Sequence, residues 1–228
     1  MPQFSALAAQ KADEEKDPTR AAELREISRI CAKVPENPAE SWYEALQSVW
    51  FTHMCTMLEQ CNYGNSFGRF DQYMYPYYKA SVLDKKEMTR DQALELLECF
   101  WIKLVSFTEM YDYNTALVQT GFPLSQNLII GGMLPDGTDG CNEVTMLCLE
   151  ADMETAVFQP ELAMRVWEGT PTKYLRKALE VVRLGRGKPK FYGDRTALEM
   201  LKQAYPLVDE KDLADYACIG CIEIGLPY

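Results

Sequence analysis

Hydrophobic residues recur at helical spacing along the first half of the chain. Apolar positions that repeat every three to four residues predict amphipathic helices over residues 19–33, 41–57 and 89–110. Thr89 and Gln92 form the pattern of a capping box at the start of the last of these helices. Residues 1–18 are polar and charged, which predicts a frayed end or the remnant of a helix.

Two different patterns lie between the second of these helices and the third. Residues 61–69 are rich in glycine and asparagine, which is typical of a loop. Tyrosines then recur between Tyr73 and Tyr78, and their bulk predicts a packed aromatic layer. Arg69 and Asp71 stand close together between these stretches and are predicted to form a structural ion pair.

Short apolar runs alternate with helical periods in the second half of the chain. Strands are predicted over residues 126–132, 162–167 and 190–192. Helices are predicted over residues 143–156, 171–184 and 194–205, with Pro171 in the first helical position and Asp194 as a cap. This alternation indicates an α/β fold with helices outside a sheet or barrel. The chain contains no internal repeat or flexible linker, so we expect one domain over residues 1–228.

Charge and cysteine content narrow the possible partners. The chain has 34 acidic and 23 basic residues, a net charge of −11 that argues against nucleic-acid and anionic-membrane surfaces. It lacks both an apolar run of about 20 residues and the pattern of a signal peptide, so a cytoplasmic protein is expected. Its eight cysteines are therefore predicted to be mostly buried thiols, and a single histidine leaves few ligands for a zinc site, so no metal is expected.

A thiol and a carboxylate stand two residues apart near the end of the sequence. If the segment is extended, Cys221 and Glu223 point to the same side, where they could act as a catalytic pair. Cys218 and Cys221 also form a C-x-x-C pattern, whose alternative interpretation is a redox or zinc motif. No second C-x-x-C accompanies it, and Cys218 is predicted to be a packed thiol. Arg165 is predicted to have a structural partner.

Several short motifs follow one another in a fixed order. They are GRFDQYMYPYY at 68–78, QNLIIGG at 126–132, the PDG, NE and LEA elements within 135–151, QP, R and GTP within 159–171, and DY and GCIE within 215–223. In sequence and order they resemble the glycyl radical enzymes of the pyruvate formate-lyase superfamily. The resemblance covers residues from about Ala21 to the end of the chain.

The resemblance implies a fold and a mechanism. The fold would be part of a ten-stranded α/β barrel made from two antiparallel halves. In such enzymes a separate radical-SAM activase generates a glycyl radical near the C-terminus, and that radical takes hydrogen from a cysteine on a loop inside the barrel. Cys221 matches this cysteine, and Glu223 matches the carboxylate that many members use as a base. Phe122 and Ser125 match a wall of the substrate cavity, against the alternative of plain loop packing.

The same resemblance implies the partners and the class of reaction. The substrate would be a small organic molecule, no cofactor would be bound, and the full-length enzyme would be a homo-oligomer. Gly220 stands where pyruvate formate-lyase has a second cysteine, which disfavours that activity. Elimination across a C–O, C–N or C–S bond is favoured, with dehydration foremost. Ile224 replaces a proline that is common in diol dehydratases, so arylacetate decarboxylation stays open as an alternative.

The motif that carries the radical glycine, an RV-x-GY segment, does not occur in these 228 residues. We therefore expect a chain that lacks the glycyl radical domain, through truncation or a split gene, and that does not turn over substrate alone. The alternative, in which the chain is not itself catalytic, is that it forms the non-catalytic half of a split enzyme and binds a second polypeptide.

Overall fold

A computed structural model describes residues 1–60, 64–107, 112–118, 124–220 and 222–226. The chain forms two compact units. One consists of Met1–Gln60 and Tyr77–Leu96, and the other of Cys61–Pro76 and Leu97–Tyr228. The expectation of one domain over residues 1–228 stays a prediction.

The first unit is built from helices. They are α1 (Pro2–Glu14), α2 (Pro18–Lys33) and α3 (Trp42–Gln60), with a π-helical segment at Lys79–Asp84. The N-terminus is thus a formed helix, which is joined to α2 where Ser5 Oγ donates to the carbonyl of Ser28 at 2.9 Å. Asp17 caps α2, because its carboxylate accepts a hydrogen bond from the Thr19 amide at 2.9 Å.

The second unit contains a four-stranded sheet in which all neighbouring strands are parallel. Its order is β1 (Ser66–Arg69), β2 (Asn127–Gly131), β3 (Glu161–Val166) and β4 (Lys190–Gly193). The three predicted strands are confirmed. The prediction of a loop over 61–69 is wrong at its end, because β1 forms there with an irregular register and a positive φ of 62° at Gly68.

The helices along this part of the chain are α4 (Phe70–Tyr78), α5 (Arg90–Leu104), α6 (Tyr113–Val118), α7 (Glu143–Thr155), α8 (Thr172–Val182) and α9 (Asp194–Ala204). The sequence predicts α5, α7, α8 and α9 but not α4 or α6. α7 connects β2 to β3 and α8 connects β3 to β4, as parallel neighbours require. The predicted α/β class is confirmed.

The helix α4 changes the interpretation of the tyrosine cluster. Helical spacing places Phe70, Met74 and Tyr78 on one side, and all three are buried. Tyr73 is 41% exposed, so the prediction that the whole cluster forms a packed layer is wrong. The reason is that a helical segment cannot turn neighbouring tyrosines to one side.

Only some of the predicted caps and first residues of the helices agree with the structure. Thr89 and Gln92 form the expected capping box, with distances of 2.9 and 3.2 Å, although α5 ends at Leu104 rather than near residue 110. Pro171 is the N-cap of α8 rather than its first helical residue. Asp194 is the first residue of α9 and makes no cap, because its carboxylate is used inside the sheet unit instead.

Both faces of the sheet are buried at its centre. Leu128, Ile130, Leu162 and Met164 lie on one face at 0 to 1% exposure. On the other face, Ile129 and Ala163 pack with residues of a C-terminal hairpin. Burial on both sides explains why β2 and β3 read as nearly continuous apolar runs.

The C-terminal part of the second unit is a short helix followed by a hairpin. α10 spans Glu210–Leu213 and is capped by Asp209. β5 (Ala217–Ile219) and β6 (Glu223–Gly225) then pair in antiparallel fashion. Among the described residues, no helix combines the length and the apolarity that crossing a membrane would require.

The cap of α7 gives a direct test of the fold. Asn142 Oδ1 accepts from the Val144 amide at 2.9 Å, and Thr145 Oγ1 accepts from the Asn142 amide at 2.9 Å. Replacing Asn142 with Ala is expected to lower the free energy of unfolding by about 1–2 kcal/mol, whereas Asn142→Ser should recover the part due to the cap but not the part due to the Nδ2 donations to the Asp71 and Gly140 carbonyls. Urea titration of both variants measures this, and equal stability of the Ala and Ser variants would contradict the capping role.

Candidate active site

The segment with the candidate catalytic pair is the tip of a β-hairpin. Cys218 pairs with Ile224 and Ile219 pairs with Glu223 in the register of β5 and β6. The two strands run antiparallel, and Gly220 at the end of β5 has a φ of +59°. The expectation of an extended segment from Cys221 to Glu223 includes position 221, which lies outside the described residues, so it stays a prediction.

The predicted site residues divide between described and undescribed parts of the chain. Cys221 and Phe122 lie outside the described residues. Glu223 is exposed, and its Oε2 accepts a hydrogen bond from the Ile222 amide at 3.0 Å. Ser125 is 2% exposed with a φ of +48°, and its carbonyl accepts from Asn127 Nδ2 at 3.1 Å. The pairing of Cys221 with Glu223 and the lining role of Phe122 and Ser125 stay predictions.

Side chains and backbone at the amino ends of β1 and β2 bind the hairpin. Ser66 Oγ donates to the carbonyl of Cys218 at 2.6 Å, and Asn127 Nδ2 donates to the carbonyl of Gly220. The Gly220 amide donates to the carbonyl of Gly64 at 3.4 Å. A side chain at position 64 would bring its Cβ within 2.9 Å of the Gly220 Cα, so glycine at 64 permits this close approach.

Cys218 faces the sheet from β5. It is fully buried and packs with Ile129, Ala163 and Ala217, so the prediction of a packed thiol is confirmed. Its sulfur lies 3.0 Å from the hydroxyl of Tyr192 on β4. Burial raises the pKa of the Cys218 thiol, which favours its protonated form. In the described part of the chain, no group of three or more His, Cys, Asp and Glu residues is arranged to hold a metal ion.

A buried arginine on β3 supports the chain just before β5. Arg165 Nε donates to Asp194 at 2.8 Å, which confirms the predicted structural partner. Its Nη1 donates to the carbonyls of Ala214 and Tyr216 at 2.9 and 3.1 Å. Its guanidinium also lies 3.9 Å from the centre of the Tyr216 ring. The segment that leads into the hairpin is thus fixed to β3.

Arg69 on β1 makes a second contact to the same segment. Its Nη1 forms an ion pair with Asp215 at 3.1 Å, and its Nη2 donates to the carbonyl of Gly131 at 3.0 Å. The predicted ion pair with Asp71 is wrong. The Asp71 carboxylate instead accepts from the Gly131 amide at 2.7 Å and from Thr145 Oγ1 at 2.6 Å, and burial raises the pKa of this carboxyl group.

The sheet thus supplies polar groups from all four of its strands to residues 214–222. The sequence pattern singles out Arg165 but not Ser66, Asn127 or Tyr192. The available signal is that Asn127 and Tyr192 are polar or amphipathic positions within apolar strands, on the same face as Ile129 and Ala163. This arrangement can hold a short loop rigidly against the sheet, which is what positioned chemistry requires.

Removing the charge of Asp194 tests the support under the hairpin. Asp194 accepts from Arg165, from the Met133 amide at 2.5 Å and from the Tyr216 hydroxyl at 2.7 Å. Asp194→Asn leaves the buried Arg165 charge without its partner and is expected to lower the free energy of unfolding by about 3–5 kcal/mol. The matched control on the same helix is Glu199→Gln, which breaks an exposed ion pair with Arg195 and should cost less than about 1 kcal/mol. Denaturant titration in which both variants lose equal stability would contradict the role of Asp194.

Several known proteins resemble this chain in sequence and in fold. The isethionate sulfite-lyase of Oleidesulfovibrio alaskensis is 37% identical over 224 residues, which are 97% of this chain and 26% of that protein. The glycerol-bound B12-independent glycerol dehydratase from Clostridium butyricum matches with a TM-score of 0.93 at 38% identity, over 99% of this chain and 28% of that one. A glycyl radical enzyme from Archaeoglobus fulgidus matches with a TM-score of 0.93 at 31% identity, over 99% and 29%.

The chain spans only 26 to 29% of the length of these relatives, yet the match runs along nearly all of it. The family model described as pyruvate formate lyase-like matches residues 1–227. The resemblance carried by the motifs is therefore confirmed, and the chain belongs to the pyruvate formate lyase-like family.

Proposed function

We propose that this chain is part of a glycyl radical enzyme that eliminates a group across a C–O, C–N or C–S bond of a small organic substrate, with dehydration foremost. The observation that carries the proposal is a hairpin tip, with Cys221 and Glu223 in its sequence, that the sheet holds from several strands. The names of the relatives support it, since one is a sulfite-lyase and another a glycerol dehydratase.

The residues at the tip suit radical chemistry. A thiol S–H bond is weak enough to exchange a hydrogen atom with an activated C–H bond. A glycyl radical, when one is present elsewhere in the protein, supplies the initial abstraction of that hydrogen atom from the thiol. The residues before and after Cys221, Gly220 and Ile222, each have a carbonyl that accepts a hydrogen bond from a side chain of the sheet. These contacts support a restricted range of positions for the sulfur in the proposed reaction.

The proposed reaction conserves atoms and electrons. The Cys221 sulfur, as a thiyl radical, takes a hydrogen atom from a substrate C–H bond, which leaves a carbon radical beside a hydroxyl group. That hydroxyl is far more acidic than before, so Glu223 accepts its proton, and the adjacent C–X bond breaks with its electron pair on the leaving group. Glu223 then gives this proton to the leaving group, and the Cys221 thiol returns the hydrogen atom to the product radical, which restores the thiyl radical.

Glu223 is the proposed proton acceptor. Its side chain is exposed, and one carboxylate oxygen accepts a hydrogen bond from the amide of Ile222, which supports a position of the carboxylate beside the tip. The predicted cavity residue Ser125 is supported by its neighbourhood, because Asn127 Nδ2 donates both to its carbonyl and to that of Gly220. Phe122 is proposed to line the same cavity.

The remaining requirements lie outside these residues. We propose that the radical glycine is supplied by another part of the protein or by a second chain, and that a separate radical-SAM activase generates the radical. No bound cofactor is needed in the elimination itself. The assembled enzyme is proposed to be a homo-oligomer.

The test uses the complete protein that carries this chain, activated anaerobically by a radical-SAM activase. Electron paramagnetic resonance is expected to show a glycyl doublet of equal intensity in the wild type, in Cys221→Ser and in Glu223→Gln. Turnover should be undetectable in Cys221→Ser and reduced by roughly 10²–10⁴-fold in Glu223→Gln, since that is the usual contribution of a general base. The matched control is Cys55→Ser, which removes an exposed thiol and should retain wild-type turnover.

Three results would contradict the proposal in whole or in part. Turnover that survives Cys221→Ser would exclude the thiol as the hydrogen carrier. A wild type with neither a doublet nor turnover, under conditions that activate a control enzyme, would favour a non-catalytic role. A product that has lost carbon dioxide would replace elimination by decarboxylation while retaining the two residues.

A further inference from the structure

Two side chains of the sheet bind the carbonyl groups on either side of position 221. Asn127 Nδ2 on β2 donates to the carbonyl of Gly220, and the Tyr192 hydroxyl on β4 donates to the carbonyl of Ile222 at 3.1 Å. These residues stand on strands separated by β3, so they hold the turn from opposite sides. The carbonyl groups of the residues before and after the candidate catalytic cysteine are thus both bound by side chains of the sheet.

The thiol of Cys218 lies between these two side chains. Its sulfur is 3.0 Å from the Tyr192 hydroxyl and 3.6 Å from Asn127 Oδ1. The hydroxyl has one proton, and a backbone carbonyl can only accept, so the bond to Ile222 uses that proton. The thiol also has a single proton, and both Asn127 Oδ1 and the Tyr192 oxygen lie within its reach as acceptors. Cys218 is therefore within hydrogen-bonding distance of both side chains that bind the turn.

These hydrogen bonds require the protonated forms of Tyr192 and Cys218, and burial favours both forms. Burial raises the pKa of the Tyr192 phenol and also that of the Cys218 thiol, so both are neutral donors near pH 7. The Tyr192 ring packs against the apolar cluster that contains Cys218, which limits its motion. The assembly is therefore a positioned set of donors rather than a surface contact.

We propose that Asn127, Cys218 and Tyr192 form a positioning assembly that holds the Gly220 and Ile222 carbonyls in place for hydrogen-atom transfer by Cys221. The inference rests on the proposed function, because orientation matters only if Cys221 carries the hydrogen atom. Its physical reason is that a displacement of a reacting group by about 1 Å can cost roughly 10²-fold in rate. Tyr192 touches neither substrate nor reacting atoms in this assignment, and it acts through the backbone of Ile222.

The deciding variant is Tyr192→Phe, which removes one hydroxyl and keeps the packed ring. Tyr205→Phe is the matched control, because it removes a hydroxyl from a tyrosine that is 46% exposed. In the complete protein, amide hydrogen exchange of the peptide that covers residues 217–226 should accelerate roughly five- to tenfold in Tyr192→Phe, as expected for the loss of one hydrogen bond. The control should exchange at the wild-type rate.

The second readout separates positioning from simple structural support. After activation, Tyr192→Phe should lower kcat about tenfold, with KM within about twofold of wild type and an unchanged glycyl doublet. A general loss of folding would instead reduce the doublet and accelerate exchange throughout the chain. The combination of local exchange, lower kcat and full radical yield is specific to a displaced turn.

The outcomes distinguish this inference from the proposed function. Unchanged exchange at the hairpin in Tyr192→Phe overturns the inference, whether or not the protein is active. Faster exchange with wild-type kcat also overturns it, because the held turn would then not serve the reaction. If the wild type shows neither radical nor turnover, the proposed function fails, and the inference that the turn is positioned for hydrogen-atom transfer fails with it.

Discussion

The second unit depends most on the hydrogen bonds of the buried Arg165 guanidinium. They lie on the sheet face that packs with the C-terminal hairpin. The guanidinium joins β3 to the first residue of α9 through Asp194 and reaches the backbone on both sides of Asp215. A buried charge is stable only when its hydrogen-bonding capacity is met. Because the carbonyls of Ala214 and Tyr216 are among its partners, the charge of Arg165 and the path of the chain into β5 are coupled.

The fold places several weak contacts where they act together. Ser66, Asn127 and Tyr192 come from three strands, and each binds a backbone carbonyl between residues 218 and 222. A net hydrogen bond contributes only about 0.5–1.5 kcal/mol, so no single one would hold a hairpin tip. Their convergence on a few residues gives the turn a defined position. This matters for chemistry in which a sulfur atom must meet two different hydrogen donors in sequence.

The elements with strong periodic or capping signals are predictable from the sequence. The strand β2 reads as an apolar run because both of its faces are buried, and Asn142 marks the start of α7 because its side chain caps that helix. The strand β1 is not predictable, since Gly68 and Ser66 have the composition of a loop and the strand forms only by pairing with β2. The sequence likewise does not predict which groups pair with the charged residues. Asp71 is near Arg69 in sequence, yet it is satisfied by Thr145 and the backbone of Gly131.

The candidate site is likewise predictable from the sequence only in part. Motifs single out Cys221 and Glu223 as candidates, because their residue types suit the chemistry, but the pairing of β5 with β6 and the contacts that hold this hairpin on the sheet have no local signal. Gly64 and Gly220 approach each other only in the folded chain, and their distance of over 150 positions in sequence gives no signal of it. Tyr192 likewise reads as an ordinary strand residue until Ile222 and Cys218 are placed beside it.

An experimental structure of the complete protein with a bound substrate tests the central claim most directly. The account predicts that the Cys221 sulfur and the Glu223 carboxylate face one cavity, with the Gly220 and Ile222 carbonyls bound by Asn127 and Tyr192. A Cys221 sulfur turned into the sheet, or a turn whose two carbonyls are released from those side chains, would contradict it.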